Sequence, residues 1–372
     1  MKPETKYKCH SCNKTLNSHV LEPNLKLVTS DCKPSISSLR IVKCEHCNLV
    51  QKKVDETFLR EVNSIYQDYE LYSQASGEDQ KVFDGSTNKS RSLIIYEWMS
   101  KFINKKNGKI LEIGCGNGNF LRLFEEFNLG WKLTGTEFNE ANREIIEEIP
   151  RSSFYSGDIE LLNERFDIVA MIHVLEHITE PRKFLESIKR VLNIDGYLFI
   201  EVPNLIKSKF DILISDHCSH FTLESLQTLL EQSGFQIIES SDSVVGKELS
   251  IIAKLNKNKM NLNSKNKFDF DLAHRLNWLS SFQEILQGNR TRLVIFGSSI
   301  SATWAAMELN LNFDFFVDED ENRIGKIHVG KEINSLNSLQ KGDNIILPFD
   351  RKVGLNIINR LGKGYNYILP EN

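Results

Sequence analysis

The sequence lacks most of the features that assign a chain to a class at a glance. Its 46 basic and 50 acidic side chains nearly cancel, leaving a formal charge of −4 over 372 residues. There is no basic stretch interleaved with aromatics, which argues against a nucleic-acid partner and against a membrane-surface patch. No apolar run approaches the ~20 residues of a membrane span. The opening residues, Met1 to Lys8, are polar, which predicts no secretory leader and a cytoplasmic protein. In that compartment the seven cysteines are expected to be thiols or metal ligands, not disulfides. Two phosphate-binding signatures are also missing. No G-x-x-x-x-G-K-[ST] occurs, and a G-x-G-x-x-G is broken because Asn119 takes the third glycine's slot.

What is present is the composition of a soluble globular chain, 40% hydrophobic and 26% charged, long enough for two or three domains. Four cysteines form two C-x-x-C pairs, Cys9/Cys12 and Cys44/Cys47, separated by 31 residues. Two such knuckles complete a tetrahedral four-thiolate site of the structural zinc type, closed to substrate. The segment between them is short of core-forming residues, so a metal would help it fold. Residues 1–60 are therefore read as a zinc module. Residues 61–107 read as a helical connector. In it, Tyr72 either covers the core or closes over a bound ligand.

Residues 108–252 alternate strand and helix as a doubly wound α/β sheet does. The first strand runs into Glu112-Ile113-Gly114-Cys115-Gly116-Asn117-Gly118, and the apolar spacing of a helix follows. Such a loop brings bare backbone N–H groups to a ligand at a helix N-terminus. The pattern E-x-G-x-G-x-G resembles motif I of class I S-adenosylmethionine (SAM) methyltransferases. That resemblance implies SAM as cofactor, bound over Glu112, Gly114, Cys115, Gly116 and Gly118. Glu137 ends the second strand, 19 residues past Gly118, about where an acid meets ribose hydroxyls in nucleotide-binding βαβ units. Asp158 matches the acid that meets the adenine amine in many class I methyltransferases. His173 ends the fourth strand, on the sheet edge where ligands bind, and is expected to line the cofactor pocket. Glu176 and His177, widespread in that fold, are read as local structure.

The fifth strand is followed by Ser215-Asp216-His217-Cys218-Ser219-His220-Phe221-Thr222, with Thr222 as N-cap and Gly234 as C-cap of the next helix. An imidazole beside a carboxylate is a suitable general base near neutral pH. His217 and His220 are the candidate bases and Asp216 the candidate carboxylate. The bland alternative is that one histidine caps the helix and the other packs. A linker and helix span 253–290. A second small α/β unit, 291–372, follows; its first loop has a single glycine, Gly297, which is too few for a dinucleotide fingerprint.

Taken together, the chain resembles the three-domain sugar C-methyltransferases that act on nucleotide-linked keto-deoxysugars. The resemblance rests on the paired knuckles, Tyr72-Ser73, the Glu112–Gly118 loop, the Asp216-His217 loop and the Phe296-Gly297 to Asp318 tail. It implies a zinc module and a tail flanking a SAM-binding core, a nucleotide-sugar substrate, and His217 as base. The family's Glu-His-x-x-Tyr-Phe reads here as Asp216-His217, then His220-Phe221. Two rivals stand beside that reading: an O- or N-methyltransferase on a small polar metabolite, and an inactive SAM-fold binding module.

Overall fold

The computed structural model describes residues 7–67, 79, 81–83, 88–127, 130–138, 140–256, 269–288 and 290–371. Tyr72 lies outside the described residues.

The N-terminal module holds two small hairpins, β1 (Leu27–Val28) with β2 (Pro34–Ser35) and β3 (Ile41–Lys43) with β4 (Val50–Lys52). Helix α1 (Glu56–Gln67) follows. The connector expected to be helical also holds strands. An antiparallel hairpin, β5 (Lys81–Phe83) and β6 (Asn88–Ser90), precedes α2 (Arg91–Met99). Strands of three residues are too short for a period of two to register against the helical pattern around them.

The central sheet is built from β7 (Asn107–Ile113), β8 (Gly130–Thr136), β9 (Ser152–Tyr155), β10 (Phe166–Ile172) and β11 (Leu192–Pro203). Helices α3 (Asn119–Phe127), α4 (Arg143–Glu147) and α5 (Pro181–Val191) connect them. β11 carries a bulge at residues 193–196, where the pairing with β10 shifts between Phe166 and Ile168. After the two-residue β12 (Ser219–His220) come α6 (Leu223–Gln232), β13 (Phe235–Ser241) and β14 (Glu248–Leu255). The sheet order is β13-β14-β11-β10-β7-β8-β9. The strands from β9 to β11 are parallel and β14 is antiparallel to both its neighbours. The chain reverses between β7 and β10, so the carboxyl ends of these two strands frame a crevice. Thr222 caps α6 as expected, receiving the Ser225 N–H, and Gly234 follows the helix at φ +87°.

Helix α7 (Leu272–Leu286) leads to β15 (Leu293–Phe296), α8 (Ile300–Glu308) and β16 (Phe315–Val317). The chain ends with β17 (Ile327–His328), β18 (Lys331–Asn334), β19 (Asn344–Ile346), α9 (Arg351–Leu361) and β20 (Asn366–Ile368). This second sheet, β17-β18-β16-β15-β19-β20, is parallel apart from its β17 edge. It has a core cluster of its own, with Val294, Phe296, Val317 and Ile345, and a second one that is shared. Trp278, Phe282, Trp304 and Phe316 share one apolar cluster with Leu27 and Ile41 of the N-terminal module and with Phe210, Ile212 and Leu213 after β11. No helix among the described residues is long and apolar enough to cross a membrane.

Candidate functional site

The glycine loop leaves β7 with Gly114, Gly116 and Gly118 at φ +70°, +50° and +73°. A Cβ at Gly114 would sit 2.5 Å from Val174 Cγ2, and one at Gly118 2.6 Å from Ile146 Cδ1. Backbone conformation and space both require glycine there. Glu137 closes the loop from β8. Its Oε1 accepts the Gly116 N–H at 2.7 Å and its Oε2 the Phe138 N–H at 3.1 Å. The Cys115 side chain packs in the core below the loop, against Gly135. Glu112 is buried, and its Oε2 makes no hydrogen bond among the described residues. Burial, then the charge of Glu137, holds its carboxyl well above the usual range. Asp158 caps a short turn at Ile159–Leu161 by accepting the Glu160 N–H at 2.9 Å.

The other half of the site gathers at the ends of β10, β11 and β14. His173 has φ +54°, a strained backbone for a residue with a side chain. The ring lies between two acids, with Nδ1 3.2 Å from Glu176 Oε1 and Nε2 3.5 Å from Glu248 Oε2. Its backbone N–H donates to Glu201 O at 2.9 Å. Burial lowers His173 to about 4 and lifts Glu201 to about 8. Burial also raises Glu176 and Glu248. Arg91, at the start of α2, is buried and its charge opposes the rise at Glu112, Glu201 and Glu248. Sequence reasoning missed Glu201, Glu248 and Arg91. A signal existed for Glu201, a lone charge inside the apolar run Leu198-Phe199-Ile200-Glu201-Val202.

The histidine loop corrects one expectation. Asp216 does not partner His217. Its Oδ1 accepts the Ser30 N–H at 2.9 Å and its Oδ2 the Ser30 hydroxyl at 2.5 Å, with His177 Nδ1 3.4 Å away. The carboxylate on His217 belongs to Asp211, whose Oδ1 lies 2.8 Å from His217 Nδ1 and Oδ2 2.6 Å from His220 Nδ1. All three residues are buried. The reason is local. A short turn at Asp211–Leu213 brings the Asp211 side chain to the two rings, while Ser30, between β1 and β2, engages the buried Asp216. His177, read from sequence as local structure, packs edge-on against His217 with ring centroids 4.6 Å apart, and the Tyr66 hydroxyl lies 3.0 Å from its Nδ1.

The four knuckle cysteines lie together, with Cys9 and Cys47 sulfurs 3.4 Å apart and Cys12 and Cys44 sulfurs 3.7 Å apart. A tetrahedron of sulfurs about 2.3 Å from a zinc ion has edges of about 3.8 Å, so the set fits a four-thiolate site. The module also reaches the histidine loop directly. β4 pairs with β12, Ser219 opposite Gln51 and His220 opposite Val50, and His10 Nδ1 lies 2.9 Å from the Ser219 hydroxyl.

Residues 91–240 match the family model described as a methyltransferase domain. This segment is a methyltransferase domain. It has the class I SAM methyltransferase fold, α/β with a mixed sheet, and it carries the glycine loop, Glu137, His173 and the histidine loop. Three curated relatives match parts of the chain. C-methyltransferase NovU of Streptomyces niveus is 28% identical over 142 residues, 35% of this chain and 33% of that protein. The tRNA U34 carboxymethyltransferase of Aliarcobacter butzleri is 27% identical over 176 residues, 43% of this chain and 58% of that protein. The ubiquinone biosynthesis O-methyltransferase of Glaesserella parasuis is 30% identical over 131 residues, 30% of this chain and 55% of that protein. The chain thus spans from a third to just over half the length of these relatives. Their names carry three kinds of transfer, so the methyltransferase domain leaves the acceptor open.

Proposed function

We propose that the chain is a SAM-dependent methyltransferase that methylates carbon in a nucleotide-linked keto-deoxysugar. The observation that carries the reading is a buried imidazole held by a carboxylate, His217 on Asp211, in the same domain as the glycine loop. The residues fit SAM. Glu112 offers a buried carboxyl oxygen without a hydrogen bond among the described residues, and three glycines in left-handed backbone leave room for a ligand to approach. Gly114, Gly116, Gly118 and Glu137 hold the cofactor, with Asp158 and His173 at its edges. The four cysteines hold a structural zinc.

His217 takes a proton from the carbon beside the substrate ketone, and the electron pair left behind delocalises onto the ketone oxygen as an enolate. When bound, SAM supplies an electrophilic methyl group to that carbon. The chain contributes positioning and one proton transfer. NovU, a C-methyltransferase by name, supports carbon as the acceptor. A second reading, O-methylation after deprotonation of a hydroxyl by the same histidine, has the ubiquinone-pathway relative in its favour.

The test is mass spectrometry on the protein with SAM and a panel of nucleotide-linked 4-keto-6-deoxysugars in deuterated buffer. The expected product is one methyl heavier, with exchange of a carbon-bound proton. His217→Ala should lower turnover by about 10²–10⁴-fold with SAM binding intact. Methylation without carbon–hydrogen exchange would move the acceptor to oxygen or nitrogen. Methylation of tRNA alone would replace the small-molecule reading.

A further inference from the structure

Beside the histidine loop lies a carboxylate that no motif marks, Asp211. We infer that Asp211 is the positioning residue of the site, one carboxylate fixing the protonation pattern of both His217 and His220. The two rings stand at its two oxygens, 2.8 and 2.6 Å away, each through Nδ1. An ionised carboxylate only accepts hydrogen bonds. Burial alone would raise the Asp211 carboxyl, but the adjacent His220 and His217 outweigh it and keep the group ionised. Both facing nitrogens must therefore carry hydrogen. A neutral ring with its proton on Nδ1 has its lone pair on Nε2, so His217 presents Nε2 as the base. His220 is fixed the same way, and its Nε2 is buried without a hydrogen bond among the described residues. Histidine free in water favours the opposite tautomer, with the proton on Nε2, so the arrangement is imposed by the site.

The chain holds Asp211 from several sides. Phe210, the residue before it, packs against Trp278 and Trp304 with ring centroids 5.4 and 5.6 Å away. Arg275 of α7 donates to the carbonyls of Leu205 and Ile206, at 2.8 and 3.1 Å, and so anchors the segment entering the turn. The Ile214 N–H closes the turn on Asp211 O at 3.0 Å. A side chain gripped this way does not need to be ordered by substrate, which suits a group whose task is orientation. The bearing of Asp211 on turnover rests on the proposed role of His217. Its effect on the two tautomers does not.

The experiment is nitrogen-15 NMR of the histidine rings in the full-length resting protein at pH 8, with His217→Gln and His220→Gln used to assign the signals. The expected result is that both rings are neutral with the proton on Nδ1. Asp211→Asn has one acceptor oxygen and one donor nitrogen, so it can receive only one Nδ1–H and must donate to the other ring. At least one ring should then move its proton to Nε2. Where that ring is His217, turnover should fall by about 10²–10⁴-fold, the exchange of aspartate for asparagine in a serine-protease triad costing about 10⁴-fold. A wild-type His217 with its proton on Nε2, or protonated on both nitrogens, overturns the inference. So does a folded Asp211→Asn protein with both rings unchanged. Should that variant not fold, the wild-type spectrum decides alone. Because the spectra need no substrate, a failed methylation assay would count against the proposed function and leave this inference standing.

Discussion

The acids around His173 set the protein's response to pH. Glu201 is fully buried at the end of β11, accepts the Ser250 hydroxyl at 3.0 Å, and is lifted by burial to about 8. In the unfolded chain a glutamate titrates near 4.3. Between those values the native state holds a proton that the unfolded state has lost, so stability falls as pH rises through this window and levels off above about 8. Glu201→Gln keeps the shape of the protonated acid and removes the titration. The variant should melt higher than the wild type at pH 8, by at most about 5 kcal/mol, the full rise from about 4.3 to about 8 at about 1.4 kcal/mol per pH unit, and the gap should close near pH 4. Equal melting curves for the two proteins at pH 8 would mean that Glu201 is ionised in the fold, compensated by Arg91. The same residues show what could be read without coordinates. The glycines of the loop, the paired cysteines and Thr222 each follow a local rule of backbone or ligand chemistry, so spacing reveals them. Asp211 follows none. It meets His217 and His220 only because a short turn folds back over six and nine residues, and no periodicity encodes that return.

At the level of elements, the link between β4 and β12 decides how the cysteine module matters to the site. The zinc reading from sequence gave that metal a local job, stapling a coreless segment. The fold adds a longer reach. β3 and β4 flank the second knuckle, and β4 continues into a three-stranded sheet with β12, which carries His220. The Lys52 N–H donates to Cys218 O at 2.9 Å, and the Lys52 ammonium donates to Ile214 O. Three successive parts of the histidine loop thus hang on one strand of the module. Pairing across some 170 residues cannot be seen in local pattern, since two-residue strands carry no alternation. Cys12→Ser should release about one zinc per chain in a metal assay and raise hydrogen exchange at Ser219 and His220, while amides of β7 and β10 stay protected. Turnover should fall along with that local protection. Retained zinc, or unchanged exchange in the loop, would separate module from site.

For the whole molecule, the units expected from sequence share part of their apolar packing. The segment 205–213, inside the methyltransferase domain, joins an apolar cluster built by the N-terminal hairpins, α7 and the second sheet. Trp304 is completely buried at its centre, 5.6 Å from Phe210 and 5.7 Å from Phe282. The lysine- and asparagine-rich stretch before α7 reads as a boundary because composition changes there. α7 itself is core, with Leu279, Phe282 and Leu286 fully buried. A shared cluster couples the stability of its owners. Trp304→Ala removes a large side chain from a site that cannot easily collapse, which costs about 3–5 kcal/mol. If the C-terminal unit were independent, the variant would show a new low-temperature transition with the histidine loop and SAM affinity unaltered. The shared core predicts another outcome. The substitution should loosen Phe210, and with it Asp211, so that His217 loses its fixed tautomer and turnover falls although the mutated residue is not part of the histidine loop. Calorimetry and the histidine spectra of this one variant distinguish the two cases, since only coupling moves both together.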